Sequence, residues 1–98
     1  MKITKNLNGT NLTIALEGRL DTTTAPELEQ ALKESMDAAA ALTLDFSKLD
    51  YISSAGLRVL LSAHKAMSRK DGMKVVNVNE IVREVFDVTG FGDILTIE

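Results

Sequence analysis

The chain has 98 residues, enough for one domain and too few for two, and 45% of them are hydrophobic, so a core can form without metal or disulfide support. There is no cysteine, which excludes disulfides and thiol chemistry, and the net charge of -3 argues against a nucleic-acid partner. The first residues lack the apolar segment of a signal peptide, and no apolar run approaches the roughly 20 residues that cross a bilayer. We therefore expect one cytoplasmic domain over residues 1–98, with no membrane partner.

The first two predicted elements form a β-hairpin. Ile3–Leu7 and Leu12–Leu16 alternate weakly between apolar and polar residues, and the Asn8-Gly9 dipeptide between them is typical of tight hairpin turns. The first strand should lie at an edge of the sheet, where Lys2 and Lys5 would discourage pairing with a second chain. The chain is therefore expected to be a monomer.

A connection over residues 18–23 leads into the first predicted helix. Thr24 can cap this helix, Glu27 stands at the capping-box position three residues later, and Pro26 is tolerated in the first turn. Apolar residues then recur at helical spacing between residues 28 and 39. These signals predict a helix that packs one apolar face on the sheet.

The middle of the chain predicts a third strand and a helix with a broad apolar face. Leu42–Phe46 alternates like a strand, and Leu57–Arg69 has helical periodicity. The polar stripe of this helix consists of Arg58, Ser62, Lys65 and Arg69. The remaining apolar band is wide enough for a helix that is buried on more than one side.

Two short strands and one helix complete the chain. Lys74–Val78 and Ile94–Ile97 are predicted strands, and the helix between them is capped by Asn79, runs through Val88 and stops at Gly90. The order of elements is therefore β-β-α-β-α-β-α-β. Because repeated strand–helix–strand units require crossover connections, we expect an α/β fold with a mixed, mostly parallel sheet and an antiparallel first strand at its edge.

In such sheets, functional residues usually lie where the carboxyl ends of strands lead into helices, here at residues 18–21, 47–54 and 77–79. None of these segments contains a phosphate-binding glycine motif or a nucleophile elbow. The only histidine, His64, lies about 15 Å along a helix from Ser54, which is too far for a serine–histidine pair. We interpret His64 as a hydrogen-bonded residue at the edge of the core and predict that the chain is not an enzyme and needs no cofactor.

Three aspartates lie in or beside the predicted loops, and together they could form an acidic pocket for Mg²⁺, as in a domain that accepts phosphate on an aspartate. They are Asp21, Asp45 and Asp50. Aspartates at strand ends commonly close turns or cap helices, so we interpret these three as turn residues and predict no metal site.

Residues 53–56, Ser-Ser-Ala-Gly, interrupt an apolar run at the start of the second helix. If the helix starts at Ala55, Ser54 is its N-cap, and a serine there can be purely structural. Ala55 and Gly56 leave the Ser54 hydroxyl sterically open, and Gly56 costs the helix up to about 1 kcal/mol that a structural cap does not require. Helix amides and the helix dipole also stabilise a phosphate at this place, so we predict that Ser54 is a phosphorylation switch.

Three blocks of the sequence resemble the STAS domains of bacterial anti-anti-sigma factors, in order and spacing and over essentially the whole chain. They are GRLDTTTAPEL, YISSAGLRVLL and VREVFDVTGFGDIL. The resemblance implies that the unphosphorylated protein binds an anti-sigma factor, which is also an ATP-dependent serine kinase with a histidine-kinase-like fold, and thereby frees a sigma factor. It further implies a serine phosphatase that resets the switch.

On the family pattern, Ser54 takes the place of the phosphorylated serine, Ala55 that of a serine or threonine, and Ser53 that of an aspartate. A carboxylate that could orient the hydroxyl or the nucleotide site of the kinase is therefore replaced, and Ser53 becomes a decoy acceptor. Asp21 matches an aspartate that the family implies in partner contact. The resemblance implies a partner-binding surface made of Asp21, Thr22, Ser53, Ser54, Ala55, Gly56, Leu57 and Arg58.

Two other functions remain open on the sequence. A STAS module can serve as an accessory subunit of a transporter, as a sensor component or as a ligand-binding scaffold, without any role in sigma-factor control. A small enzyme is disfavoured because no base lies beside Ser54. A kinase-like ATPase that co-purifies with the chain would favour sigma-factor control, and a transporter subunit would favour the accessory role.

Overall fold

Five strands and three α-helices alternate along the chain in the computed structural model, which describes residues 1–98. The strands are β1 (Lys2–Asn8), β2 (Asn11–Leu20), β3 (Ala41–Ile52), β4 (Met73–Val76) and β5 (Thr96–Ile97). The helices are α1 (Ala25–Ser35), α2 (Ser54–Met67) and α3 (Glu80–Thr89), and short 3-10 helices cover Met36–Ala38 and Phe91–Asp93. None of the helices has both the length and the apolar character that a membrane crossing requires.

The sheet has the order β1-β2-β3-β4-β5, so each strand lies beside its neighbours in sequence. β1 pairs antiparallel with β2, and all other pairs are parallel. The predicted α/β fold, with a mixed, mostly parallel sheet and an antiparallel first strand at its edge, is confirmed. Parallel pairing brings the carboxyl ends of β2, β3 and β4 to the same edge of the sheet.

One face of the sheet carries the hydrophobic core. The buried strand residues that share this face in register include Leu12, Ile14, Leu42, Leu44, Met73 and Val75. Leu28 of α1, Leu60 of α2 and Phe86 of α3 belong to the same cluster and are fully buried. Burial of one such side chain contributes about 1.5–3 kcal/mol, so the core holds all three helices against the strands.

β3 extends beyond the predicted strand because its register against β2 shifts twice, first between Ala15 and Glu17. At each shift β3 carries one more residue than β2, which is the pattern of a β-bulge. In β3 every second residue is buried as far as Phe46. Beyond that point every third residue is buried, namely Leu49 and Ile52. The bulges therefore keep the end of β3 in the core while they turn it towards the start of α2.

Several predicted boundaries were wrong. α2 ends at Met67 rather than at Arg69, and β4 covers Met73–Val76 rather than Lys74–Val78. Residues 18–20 belong to β2 rather than to a connection, because they continue to pair with β3. The last strand is shorter than predicted because the N–H groups of Ile94 and Leu95 donate to the carbonyl oxygen of Phe91, and pairing with β4 begins only at Thr96.

Two of the predicted polar contacts were also wrong, and one is confirmed. Thr24 makes no side-chain cap bond, because its hydroxyl oxygen instead accepts the N–H of Asp21 at 2.8 Å, while the hydroxyl donates to the carbonyl oxygen of Arg19 at 2.8 Å. The Nδ1 atom of His64 is buried without a hydrogen-bond partner. Asn79 does cap α3, since its Oδ1 accepts the N–H of Val82 at 2.8 Å.

Gly56, in the first turn of α2, is buried against the ends of β2 and β3. A Cβ atom at this position would lie 2.7 Å from Cγ of Leu20 and 2.9 Å from Cγ1 of Ile52, and both of these side chains are fully buried. The cost of glycine's weak helix propensity therefore has a structural explanation here, which no local sequence pattern signals. Only a residue without a side chain lets α2 approach the two strands this closely.

We expect Gly56→Ala to destabilise the protein by about 1–2 kcal/mol. Overpacking against Leu20 and Ile52 costs roughly 1–3 kcal/mol, and the better helix propensity of alanine returns up to about 1 kcal/mol. Urea unfolding measures the difference, with Ser62→Ala on the exposed side of α2 as a control that should stay within about 0.5 kcal/mol. A Gly56→Ala variant as stable as the wild type would show that Leu20 and Ile52 move aside without cost.

Candidate functional site

The loops that follow β2 and β3 meet at the carboxyl edge of the sheet. The N–H of Ser53 donates to the carbonyl oxygen of Leu20 at 2.8 Å, which joins the last residue of β2 to the residue before α2. The start of α3 is tied to β3, because the Nδ2 of Asn79 donates to the carbonyl oxygen of Leu49 at 2.8 Å. The structure thus brings the loop that begins at Asp21 next to the start of α2.

Ser53, and not Ser54, is the N-cap of α2. The backbone of Ser53 is extended, and its Oγ accepts the N–H of Gly56 over a long 3.5 Å. Ser54 is the first helical residue, so the prediction that the helix starts at Ala55 with Ser54 as its cap was wrong by one position. The Ser54 side chain is exposed and takes part in no hydrogen bond within the chain. Ser53 therefore caps the helix, and the adjacent Ser54 presents a free hydroxyl.

The surroundings of Ser54 favour a negative charge. α2 has 14 residues, and the backbone N–H groups of its first turn point out of the helix end with the positive end of the helix dipole. No acidic residue lies in that turn. A phosphate on Ser54 would consequently meet attractive partial charges and no repelling carboxylate from the same turn.

The other predicted partner-binding residues divide by exposure. Thr22 and Arg58 are exposed, and Asp21, Ser53 and Ala55 are half-buried. Leu57 is only 4% exposed and belongs to the core, and Gly56 is buried beneath the helix. Gly56 and Leu57 therefore position the start of α2, and the remaining residues offer the surface that a partner can contact.

Asp21 closes the loop between β2 and α1. Its Oδ1 accepts hydrogen bonds from the hydroxyl of Thr23 at 2.7 Å, from the N–H of Thr23 at 3.0 Å and from the N–H of Thr24 at 3.2 Å. The hydrogen bond from the Thr23 hydroxyl is the main reason why the pKa of Asp21 lies below its ordinary value. The interpretation of Asp21 as a turn residue is confirmed.

Asp45 links the first bulge of β3 to the end of β4. Its Oδ1 accepts the Nδ2–H of Asn77 at 3.0 Å and the N–H of Ser47 at 3.0 Å. These bonds, that from Asn77 first, hold the pKa of Asp45 below its usual range. No group of three histidine, cysteine, aspartate or glutamate side chains is arranged to hold a metal ion, so the aspartates do not converge on a cation.

One contact beneath this edge was not predicted from the sequence. Arg19 and Tyr51 are partners in register near the ends of β2 and β3, and the guanidinium carbon lies 4.7 Å from the centroid of the tyrosine ring. A cation–π contact of this kind contributes about 0.5–1 kcal/mol at an exposed site. Only the register after the bulges of β3 brings the two side chains together, so no local sequence pattern signals the pair.

The fold and the two joined loops define a small α/β domain with an exposed serine at the start of its second helix. A sequence profile of the family described as "Mlab, STAS domain" matches residues 3–96, and the chain belongs to this STAS domain family. The protein BtrV of Bordetella bronchiseptica, whose name contains the words anti-sigma factor antagonist, is 36% identical over 99 residues. The match covers 99% of this chain and 85% of the relative.

Solved structures show the same architecture. The crystal structure of an anti-sigma factor antagonist from Mycobacterium paratuberculosis is similar at a TM-score of 0.88 and 25% identity, over 98% of this chain and 83% of that chain. SpoIIAA in its unphosphorylated form gives a TM-score of 0.77 at 18% identity, over 99% of this chain and 87% of that chain. The phosphorylated form of SpoIIAA gives a TM-score of 0.75, also at 18% identity, over 99% of this chain and 91% of that chain. The SpoIIAA comparisons establish a common fold.

We expect Asp21→Ala to lower the melting temperature more than Asp21→Asn, because the amide oxygen of asparagine can still accept from Thr23 and Thr24. The folded-state pKa of Asp21 lies below its ordinary value of 3.8. The stability that the carboxylate adds is therefore fully present above pH 3.8 and is lost as the pH falls through the folded-state pKa.

Thermal unfolding at neutral pH and at about pH 3 tests both points. The gap between wild type and Asp21→Asn should shrink in acid. An Asp21→Ala variant that unfolds at the wild-type temperature would contradict the loop-closing role, and a gap that is equal at both pH values would contradict the dependence on charge.

Proposed function

We propose that this chain is an anti-sigma factor antagonist whose partner binding is controlled by phosphorylation of Ser54. The unphosphorylated form binds an anti-sigma factor that is also a serine kinase with a histidine-kinase-like fold, and this binding frees a sigma factor. A serine phosphatase restores the unphosphorylated form. The observation that carries the proposal is the free, exposed hydroxyl of Ser54 at the first position of α2, in a chain that belongs to the STAS family.

The division of roles between the two serines supports Ser54 as the acceptor. The Oγ of Ser53 is engaged as the helix cap and the residue is half-buried, whereas Ser54 is exposed. A kinase that approaches along the axis of α2 reaches the Ser54 hydroxyl without breaking a hydrogen bond of the fold. Ser53 is therefore a secondary acceptor at most.

In the transfer of phosphate from ATP, this chain supplies only the nucleophile. The Ser54 Oγ attacks the γ-phosphorus of ATP, the bond to the β-phosphate oxygen breaks, and ADP leaves. His64 lies ten positions along α2, so the base that accepts the hydroxyl proton and the groups that hold ATP belong to the kinase. This division fits a regulatory protein that is a substrate rather than an enzyme.

Phosphorylation then weakens the complex through charge at the centre of the proposed surface. The phosphate adds about -1.5 to -2 charges at pH 7, one helical turn from Arg58 and against a partner surface that is complementary to a neutral hydroxyl. A desolvated or like-charged anion in such an interface can cost several kcal/mol. The fold itself remains, because the phosphate projects from the exposed start of the helix.

With the anti-sigma factor and ATP, we expect the chain to gain one phosphate, and Ser54→Ala should abolish this gain while Ser53→Ala should not. Because Ser53 is the cap, Ser54→Ala should change stability by less than about 0.5 kcal/mol, whereas Ser53→Ala should cost about 0.5–1 kcal/mol. Intact-protein and peptide mass spectrometry locate the phosphate, and urea unfolding measures the stabilities. A phosphate on Ser53 in the wild type would contradict the assignment.

Ser54→Ala should retain the anti-sigma factor and Ser54→Asp should release it, because the aspartate places a fixed negative charge where the hydroxyl meets the partner. Isothermal titration calorimetry compares the two affinities. Ala66→Asp, which adds the same charge about three turns further along α2 and eight residues from Arg58, is the matched control and should bind nearly as well as wild type. Equal affinities of the Ala and Asp variants at position 54 would show that Ser54 does not lie in the interface.

Co-purification from the native cells separates this function from an accessory role in a transporter. A kinase-like ATPase among the captured proteins supports the proposal, and a transporter subunit in its place contradicts it. The monomeric state stays a prediction, which light scattering tests against the chain mass of 10.6 kDa.

A further inference from the structure

Arg58 lies one helical turn beyond Ser54 on the same side of α2. Both residues are exposed, whereas Gly56, Leu57 and Val59 between and beside them are buried. Residues four positions apart are neighbours on a helix surface, with their Cβ atoms about 5–6 Å apart. An arginine side chain at Arg58 therefore spans the distance to a group attached to Ser54.

The guanidinium of Arg58 has no partner within the chain. The three ion pairs of the structure join Lys5 to Glu34, Lys33 to Glu29 and Lys74 to Glu98. α2 contains no acidic residue, and its exposed side continues beyond Arg58 with Ser62 and Lys65. A counter-charge for Arg58 must consequently come from outside the helix.

We propose that Arg58 binds the phosphate of phosphorylated Ser54 within the same chain and is thereby withdrawn from the partner surface. This inference rests on the proposed phosphorylation of Ser54. The planar guanidinium offers two parallel N–H donors that match two oxygens of a phosphate, and such charge-assisted pairs are roughly twice as strong as neutral hydrogen bonds. The phosphate carries more negative charge than one arginine neutralises, so the switch still becomes anionic.

Phosphorylation then changes two residues of the partner surface at once. Ser54 turns from a neutral donor into an anion, and Arg58 turns from a free cation into one that is already bound. A partner that pairs a carboxylate with Arg58 in the unphosphorylated complex loses this contact as well as meeting the new charge.

The test uses phosphoserine that is incorporated at position 54 during translation, so that no kinase is needed. Phosphorus NMR then follows the second ionisation of the phosphate. Because a nearby cation favours the dianion, Arg58→Gln should raise the titration midpoint by about 0.2–0.4 pH units, the shift that corresponds to an exposed i,i+4 ion pair. Arg58→Lys should recover part of the difference, since lysine keeps the charge but not the two-donor geometry.

Arg69→Gln is the matched control, because it removes the same charge in the turn that follows the far end of α2. Arg69 lies roughly 20 Å from Ser54, well beyond the Debye length of about 10 Å at 0.1 M salt, so the midpoint should not move. The Nε–H resonance of Arg58 should also shift when residue 54 carries the phosphate, and that of Arg69 should not.

Equal midpoints for Arg58→Gln and Arg69→Gln would overturn the proposal, and would mean that solvent and the helix amides alone hold the phosphate. This result does not depend on the kinase. If the anti-sigma factor fails to phosphorylate Ser54, the proposed function fails, whereas the NMR titration still decides whether Arg58 binds a phosphate at that position.

Discussion

The close contact between the first turn of α2 and the ends of β2 and β3 is the constraint on which the candidate site depends. Gly56 leaves no room for a side chain above Leu20 and Ile52, and the N–H of Ser53 bonds to the carbonyl oxygen of Leu20. These contacts belong to the core, so the start of the helix cannot shift without loss of buried apolar contacts. Ser54 is consequently held at the surface by residues that are themselves inaccessible, and a modification there alters the surface without altering the fold.

The bulges of β3 make this contact possible. A regular strand would place residues 49 and 52 on opposite faces of the sheet, and only the shift from a two-residue to a three-residue spacing buries both. The hydrogen bonds of Asp45 to Ser47 and Asn77 support the first bulge from the solvent side. Asp45 was a candidate for a cation pocket on the sequence. In the structure it stabilises the bulge that directs β3 towards the start of α2.

Adjacent residues at the start of α2 have different physical roles, which explains how a short segment can be rigid and still present a free hydroxyl. Ser53 satisfies a backbone donor, Gly56 and Leu57 pack on the strands, and Ser54 and Arg58 remain free of partners in the fold. The chain thus offers a nucleophile and a neighbouring cation on a fixed support. In the proposed phosphoryl transfer, all other groups come from a second protein.

The sequence by itself determined the type and order of every strand and helix, because the periods of 2 and 3.6 residues and the cap at Asn79 are local properties. It also pointed to the segment that contains Ser54. The tertiary structure alone decided where β3 ends and that Ser53 rather than Ser54 is the cap, because both follow from the pairing of β3 with β2. The requirement for Gly56 and the Arg19–Tyr51 contact have the same origin. Contacts between distant segments contribute more free energy than local propensities do, and they place the boundaries that local patterns leave open.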